Sequence, residues 1–193
     1  MISKIFNFVV LQVGWFACVL GVAKGYTWLG PLFVLLFLVG HLAWVSTHWR
    51  REMLFILAVG GLGAVADSLQ KMYGVLTYLD DFLRLDWLAP MWIISLWVLF
   101  ATSFGTSLKW MQGRYVIGAL FGFIGGPMSY LAGVKCGALS FKYDPTFSML
   151  VLGLVWGSLM PLLLWMTQIF GLTAVESNGI LLHQPEKAAS PGN

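Results

Sequence analysis

Charge is what this sequence lacks most. Aspartate, glutamate, lysine and arginine together make up 10% of the 193 residues, whereas soluble domains contain roughly 25% charged residues. The hydrophobic fraction is 59% and the mean hydropathy is +0.83. These values exclude a water-soluble globular fold and predict an integral membrane protein.

Cysteine and histidine are also scarce. The two cysteines, Cys18 and Cys136, form neither a disulfide framework nor a metal knuckle, although a single disulfide between them stays open. The clustered histidines of a membrane di-iron oxygenase are missing, which excludes that class. No phosphate loop, nucleophile elbow, dinucleotide fingerprint or nucleic-acid motif occurs. We therefore expect no metal, no cofactor and no nucleic-acid partner.

Long uncharged runs fill most of the chain. A helix that rises about 1.5 Å per residue needs around 20 apolar residues to cross the hydrocarbon core, and five runs meet or approach that length. A sixth run, from Met53, is interrupted by Asp67 but is rich in glycine and alanine. The pattern predicts an all-α membrane bundle of about six transmembrane helices in one domain, residues 1–172, with a polar, disordered tail over 173–193. The predicted helices cover residues 5–23, 29–47, 53–72, 89–107, 115–134 and 146–169.

The connections between these helices contain most of the charges. Residues 48–52 are predicted to be a tight reversing link, and residues 73–88 a long loop in water with at most one amphipathic turn. The first helix has no convincing cleavage site, so we expect it to be retained. Six basic residues lie on the side of the termini and five on the other, which favours cytoplasmic termini. They are Lys4, Arg50, Arg51, Lys109, Arg114 and Lys187, against Lys24, Lys71, Arg84, Lys135 and Lys142.

The fifth predicted helix contains the most informative stretch, GALFGFIGGPMSY. Its glycines recur at every fourth residue and stack into one groove: Gly118, Gly122 and Gly126. Pro127 removes a backbone donor and crowds the carbonyl of Phe123, which predicts a bend or break in the helix. Because lipid does not satisfy freed backbone groups, this helix should lie inside the bundle. The residues predicted to pack against its groove are Trp92, Trp97, Phe100 and Phe104.

Asp67 and Tyr130 are the first candidates for catalysis. Both lie roughly 7 to 8 Å from their helix midpoints towards the same face, and an intramembrane carboxylate is by default a functional candidate. We expect a polar pocket between the third, fourth and fifth helices, in which Asp67 is an acid or base and Tyr130 orients polar atoms. The structural alternative is that Asp67 pairs with Lys71, one turn later in the helix.

His41 is a second candidate for catalysis. It has nearly the same depth as Gln12, so a buried neutral histidine that is hydrogen-bonded to glutamine is the structural interpretation. The residues predicted to contact a substrate are Gln12, Trp92, Ser95, Gly126, Pro127 and Ser129.

Several of these residues together are similar to a known family. Gln12 with Gly14-Trp15-Phe16, His41, Gly63 with Asp67, Pro90-Met91-Trp92 and the stretch GGPxSYxxG at 125–133 resemble the small bacterial inner-membrane proteins known as domain of unknown function 2878. The likeness covers roughly residues 3–170. It implies a bacterial inner membrane but assigns no activity and no catalytic residue. An association of the family with genes for lipid modification, such as relatives of cyclopropane fatty acid synthases, favours work on lipids.

Three functions are compatible with the sequence. The first is an enzyme or accessory factor that acts on membrane lipids, which would then be its partners. The second is a small transporter or exporter that uses the Pro127 break and Asp67. The third is a scaffold whose polar residues only pack. A groove that opens to the side beside Trp92 favours the first function, a water-filled path to both faces the second, and a solid core the third.

Overall fold

The computed structural model describes residues 2–79 and 85–172. Within these ranges the fold is helical, which confirms the predicted class. The helices are α1 Ile2–Ala23, α2 Leu29–Gly40 with a π-helical turn His41–Val45, α3 Trp49–Met72, α4 Met91–Ala101, α5 Tyr115–Lys135 and α6 Pro145–Ile169. Two short strands that the sequence pattern did not predict, β1 Leu76–Tyr78 and β2 Leu139–Phe141, pair antiparallel. The predicted tail, 173–193, lies outside the described residues.

Four of these helices are long and apolar enough to cross a membrane, namely α1, α3, α5 and α6. The other two are shorter: α2 with its π-helical turn spans Leu29–Val45, and α4 has 11 residues. At about 1.5 Å per residue α4 is about 16 Å long, roughly half the hydrocarbon thickness. The predicted number of six crossings is therefore not confirmed by helix length.

α4 ends earlier than predicted, at Ala101, where two hydroxyl groups share its last carbonyls with backbone amides. Thr102 Oγ1 donates to the Leu99 carbonyl at 2.7 Å and Ser103 Oγ to the Phe100 carbonyl at 2.5 Å. Such side-chain bonds offer the backbone an alternative to the helical pattern. The chain then continues in turns to a 3-10 turn at Lys109–Met111.

The link between α2 and α3 is shorter than predicted. α3 begins at Trp49, so most of the predicted link, including Arg50, Arg51 and Glu52, lies in its first turn. A carboxylate in the first turn is favourable because the helix amino terminus is the positive end of the dipole. The reversal itself is confined to residues 46–48.

The helices form two units. α4 packs against α1, α2 and α3, whereas α5 and α6 form a tight antiparallel hairpin. The sheet joins the two units, because β1 follows α3 and β2 follows α5. We call the end of the bundle with the strands the sheet end. The opposite end, the basic end, contains Lys4, Arg50, Arg51, Lys109 and Arg114.

The predicted glycine groove of α5 exists, but its partner is α6. A methyl group added at Gly122 or Gly126 would overlap Trp156, and one at Gly118 would overlap Leu164. The aromatic side chains of α4 were therefore the wrong partner. The groove lets the two helix backbones approach closely, which is how small residues stabilise helix pairs in membranes.

Of the bend or break predicted at Pro127, the break is not observed. The helix continues from Tyr115 to Lys135. The Phe123 carbonyl, which Pro127 leaves without its usual donor, lies against Gly153 of α6, where an added Cβ would be 3.1 Å from the oxygen. α6 therefore covers this carbonyl, but α5 does not lie inside the bundle as predicted, because Leu120 and Ile124 on its other face are exposed.

The two cysteines are free, so they do not form the disulfide that the sequence left open. Cys18 is buried where α1 meets Gly30 of α2, and an added Cβ at Gly30 would overlap it. Its role in the structure is therefore packing.

Candidate functional site

Asp67 is fully buried near the end of α3 and accepts three hydrogen bonds. Its Oδ1 atom accepts from the hydroxyls of Tyr78 and Tyr130, each at 2.6 Å, and its Oδ2 atom accepts from Trp97 Nε1 at 2.6 Å. The predicted meeting of Asp67 and Tyr130 is thus confirmed. One carboxyl group joins α3, β1, α4 and α5.

Gly63 is the residue of α3 that makes room for this network. It lies four residues before Asp67, on the same helix face, and any side chain there would overlap the indole of Trp97. The indole therefore lies flat against α3 with its N–H at the carboxyl group. Its other face stacks on Trp156 of α6, with ring centroids 4.5 Å apart and planes 7° apart.

The alternative that Asp67 pairs with Lys71 is wrong. The ammonium group of Lys71 donates to the carbonyls of Leu85 and Leu88, at 2.9 and 2.8 Å. One turn earlier on the same helix, the Ser68 hydroxyl accepts a hydrogen bond from the Ala89 amide at 2.8 Å. These contacts hold the chain that leads into α4.

The hydrogen-bond pattern around Asp67 has a chemical meaning. Each of its three partners can donate a hydrogen bond to it, so the arrangement suits a carboxylate, which only accepts. The group is also enclosed on all sides. Anything that reaches Asp67 from outside must therefore act through Tyr130 or another of these partners.

A cleft of about 530 Å³ lies in front of this network, between α1, α4, α5 and α6. Its walls are mostly apolar and aromatic, and its mouth lies between α1 and α5, where Phe16, Phe121 and Met128 are about half exposed. Trp15 Nε1 donates to Ser129 Oγ at 3.0 Å and so links the two helices across the cleft. The predicted pocket between the third, fourth and fifth helices is therefore partly misplaced, because α1 and α6 line the cleft with α4 and α5, and α3 does not.

The structure brings most of the predicted contact residues to this cleft. The lining residues among them are Gln12, Trp92, Gly126 and Ser129, and the candidate for catalysis Tyr130 also lines the cleft. Asp67 lies behind Tyr130 and Trp97. Ser95 donates instead to the Met91 carbonyl at 2.8 Å, and Pro127 is buried without lining the cleft.

Sequence reasoning missed two residues of the site, Trp156 in the cleft wall and Tyr78 in the Asp67 network. It singled out Trp97 as part of the aromatic set of the fourth helix but missed its hydrogen bond to Asp67. Tyr78 lies in the connection 73–88, which was predicted to be a loop in water because it contains three aspartates. The available signal was the apolar and aromatic alternation Leu76-Thr77-Tyr78, which matches Leu139-Ser140-Phe141 on the partner strand.

His41 lies elsewhere, at the basic end. Its Nε2 atom is 2.7 Å from Glu52 Oε1, and both residues are buried. The predicted pairing with Gln12 is wrong, because Gln12 lies on the exposed face of α1 at the cleft. Within residues 2–79 and 85–172, no three histidine, cysteine, aspartate or glutamate side chains gather in a way that could hold a metal ion.

These features define the class of the protein. Apolar helices, four of them long enough to cross a membrane, surround a buried carboxyl network and a cleft that opens sideways, as in a polytopic helical membrane protein. The chain belongs to the family described as "Protein of unknown function (DUF2878)", whose model matches residues 4–162. That range contains the Asp67 network and the whole cleft. No curated protein and no solved structure matches the chain.

Proposed function

We propose that this protein acts on membrane lipids, as a lipid-modifying enzyme or as the accessory factor of one, with a hydrocarbon chain bound in the cleft. The carrying observation is the sideways mouth between α1 and α5 in a chain with four described helices long enough to span a membrane. Such a mouth faces lipid rather than water. The volume of about 530 Å³ lies within the range of ordinary small-molecule sites.

Tyr130 is the proposed residue that touches the lipid. It lines the cleft, and while its hydroxyl donates to Asp67 it retains the capacity to accept a hydrogen bond. A proton that the Tyr130 oxygen takes from a bound lipid is balanced by transfer of the phenolic proton to Asp67 Oδ1, 2.6 Å away. Asp67 is then a positioning and relay residue, and Ser129 and Gln12 orient polar atoms at the mouth.

The two other functions have less support. A transporter that uses a helix break at Pro127 loses its structural basis, because α5 is continuous there. A scaffold with a solid core does not account for the cleft beside Trp92. His41, at the basic end, has no contact with the cleft and is not part of the proposed reaction.

We also propose a bacterial inner membrane with both termini in the cytoplasm. The described chain begins at α1 and ends after α6, at the basic end of the bundle. Basic residues near the membrane favour the cytoplasmic side. In the described ranges the basic end has five of them and the sheet end has four, Lys24, Lys71, Lys135 and Lys142.

Tyr130→Phe is expected to abolish the function, whereas Tyr78→Phe preserves it. Each substitution removes one hydroxyl at 2.6 Å from Asp67 Oδ1, so each costs a similar stability of about 1 kcal/mol. Of the two hydroxyls, only that of Tyr130 belongs to a residue that lines the cleft. The measurement is the whole-cell lipid profile of a deletion strain complemented with each variant at equal membrane levels.

Two results would contradict this proposal in different ways. If the deletion strain has the same lipid profile as the parent, the protein has no role in lipid metabolism. If deletion alters the profile and both tyrosine variants restore it, the protein acts on lipids but the Tyr130 hydroxyl is not required.

Gly125→Leu is expected to reduce lipid capture at least about tenfold by filling the cleft. Gly125 lines the cleft, and a Cβ there has its nearest neighbour at 3.9 Å, so the backbone need not move. The assay is crosslinking of a photoactivatable acyl chain to the purified protein in bilayers. Gly61→Leu is the matched control, because Gly61 is an exposed helical glycine on α3 with open space around it. Equal crosslinking of both variants would show that the chain binds elsewhere.

A further inference from the structure

A second pocket lies at the basic end, away from the cleft. Its volume is about 380 Å³, and it is bounded by the end of α2, the start of α3, the turns after α4 and the residues after α6. The charged and polar side chains that matter here are His48, Arg51, Glu52, Thr106 and Lys109. We propose that this pocket binds the phosphate group of an anionic membrane lipid.

The first argument is the balance of charge. Arg51 and Lys109 reach the pocket from two different elements, α3 and the 3-10 turn. The carboxylate that shares the pocket, Glu52, is directed to His41 at 2.7 Å and is only 8% exposed. Among the described residues neither Arg51 nor Lys109 forms a salt bridge with a carboxylate, so both are available to a ligand. Arginine and lysine are the usual protein partners of phosphate.

The second argument is the start of α3. The helix begins at Trp49 beside the pocket, and its N-cap residue, His48, makes no side-chain capping bond. The first amide groups of a helix have no intrahelical acceptor, and together with the helix dipole they favour an anion. The amino terminus of α3 therefore adds to the attraction of Arg51, which lies in its first turn.

The third argument is the space that two glycines leave. Gly105 and Gly171 both line the pocket. A Cβ on Gly105 would lie 3.6 Å from Glu52 Oε1, and one on Gly171 would lie 3.1 Å from Arg51 Nη1. Without side chains at these positions, the pocket stays open next to its charged groups.

The depth of the pocket identifies the source of the phosphate. Three tryptophans around this end are strongly exposed: Trp44 at 86%, Trp49 at 53% and Trp110 at 49%. Exposed tryptophans at one end of a membrane bundle indicate the headgroup level. A phosphate at that depth belongs to a lipid headgroup rather than to a solute in bulk water.

The test compares two neighbouring arginines. Arg51→Gln and Lys109→Gln remove a charge from the pocket, whereas Arg50→Gln removes the same charge from a side chain that lies over the Trp49 ring, at 5.3 Å, and does not line the pocket. The protein is reconstituted in phosphatidylcholine vesicles with spin-labelled phosphatidylglycerol or spin-labelled phosphatidylcholine. We expect a preference for phosphatidylglycerol that falls about fivefold in each pocket variant, from the usual contribution of one cation near a membrane, and less than twofold in Arg50→Gln.

Two further arms complete the experiment. Gly105→Leu fills the pocket without changing its charge, and we expect it to lower the preference as much as Arg51→Gln does. Equal losses in Arg50→Gln and Arg51→Gln would overturn the proposal, because a general surface field would then explain the binding. Inorganic phosphate distinguishes the source: stabilisation of the protein by phosphate that Arg51→Gln abolishes, without any lipid preference, would overturn the lipid headgroup as ligand.

Discussion

Asp67→Ala is expected to lower the Tm of the purified protein in detergent by on the order of 10 °C. The substitution leaves three buried donors, the hydroxyls of Tyr78 and Tyr130 and the indole N–H of Trp97, without their acceptor. Each unsatisfied buried group costs about 1–3 kcal/mol, so we expect a total loss of about 4 kcal/mol. For a chain of this size 1 kcal/mol corresponds to about 2–4 °C. Unfolding can be followed by tryptophan fluorescence.

Two further variants show whether the loss comes from the donors. Asp67→Asn keeps one oxygen for the two tyrosines but opposes an amide N–H to Trp97, so its Tm should fall by less than that of Asp67→Ala. Ser148→Ala removes a buried hydroxyl that has no hydrogen-bond partner among the described residues, so its Tm should stay the same or rise. A wild-type Tm for Asp67→Ala would mean that the network does not stabilise the bundle.

Gly122→Ala is expected to cost about 3 kcal/mol of unfolding free energy and roughly 10 °C in Tm. The added methyl would overlap the backbone carbonyl oxygen of Trp156 and lie 2.8 Å from its carbon. Because these are backbone atoms, α5 and α6 must separate. The Tm is measured in the same heating experiment, and we attribute the expected fall to the contact between α5 and α6.

Gly125→Ala is the matched control for this substitution. Gly125 lies three residues further along the same helix, and its added Cβ has 3.9 Å of space. Alanine is favoured over glycine in a helix by about 1 kcal/mol, so this variant should be as stable as the wild type or more stable. A similar loss in both variants would contradict this account, because the contact with Trp156 would then not be what makes Gly122→Ala costly.

The meeting of Asp67 and Tyr130 was predictable from the sequence because both lie on long helices. In such a helix the rise per residue fixes the depth of each side chain, and a buried carboxyl group needs donors at its own depth. Trp97 and Tyr78 were not predictable in the same way. Trp97 depends on the orientation of α4 around its axis, and Tyr78 depends on a strand pairing between residues that are distant in sequence.

Pro127 and α4 illustrate two limits of sequence reasoning in a membrane chain. A proline within a helix predicts an interruption, but the outcome depends on the neighbouring helix, and here Gly153 of α6 accommodates the freed carbonyl of Phe123. Hydropathy alone predicted a full crossing over 89–107. The helix ends at Ala101, where the hydroxyls of Thr102 and Ser103 bond to its last carbonyls, and these two residues do not lower the hydropathy enough to reveal it.

The sideways mouth of the cleft also determines how selection among lipids would operate. A hydrocarbon tail that moves from the bilayer into the cleft passes from one apolar environment to another, so it gains little free energy from binding. Occupancy would then follow abundance in the membrane, and discrimination would depend on the few polar atoms of Gln12, Ser129 and Tyr130. Many lipids would enter such a cleft, and only those that form hydrogen bonds with its polar atoms would stay bound. Its preference could be redirected by changing one of those side chains while the bundle stays intact.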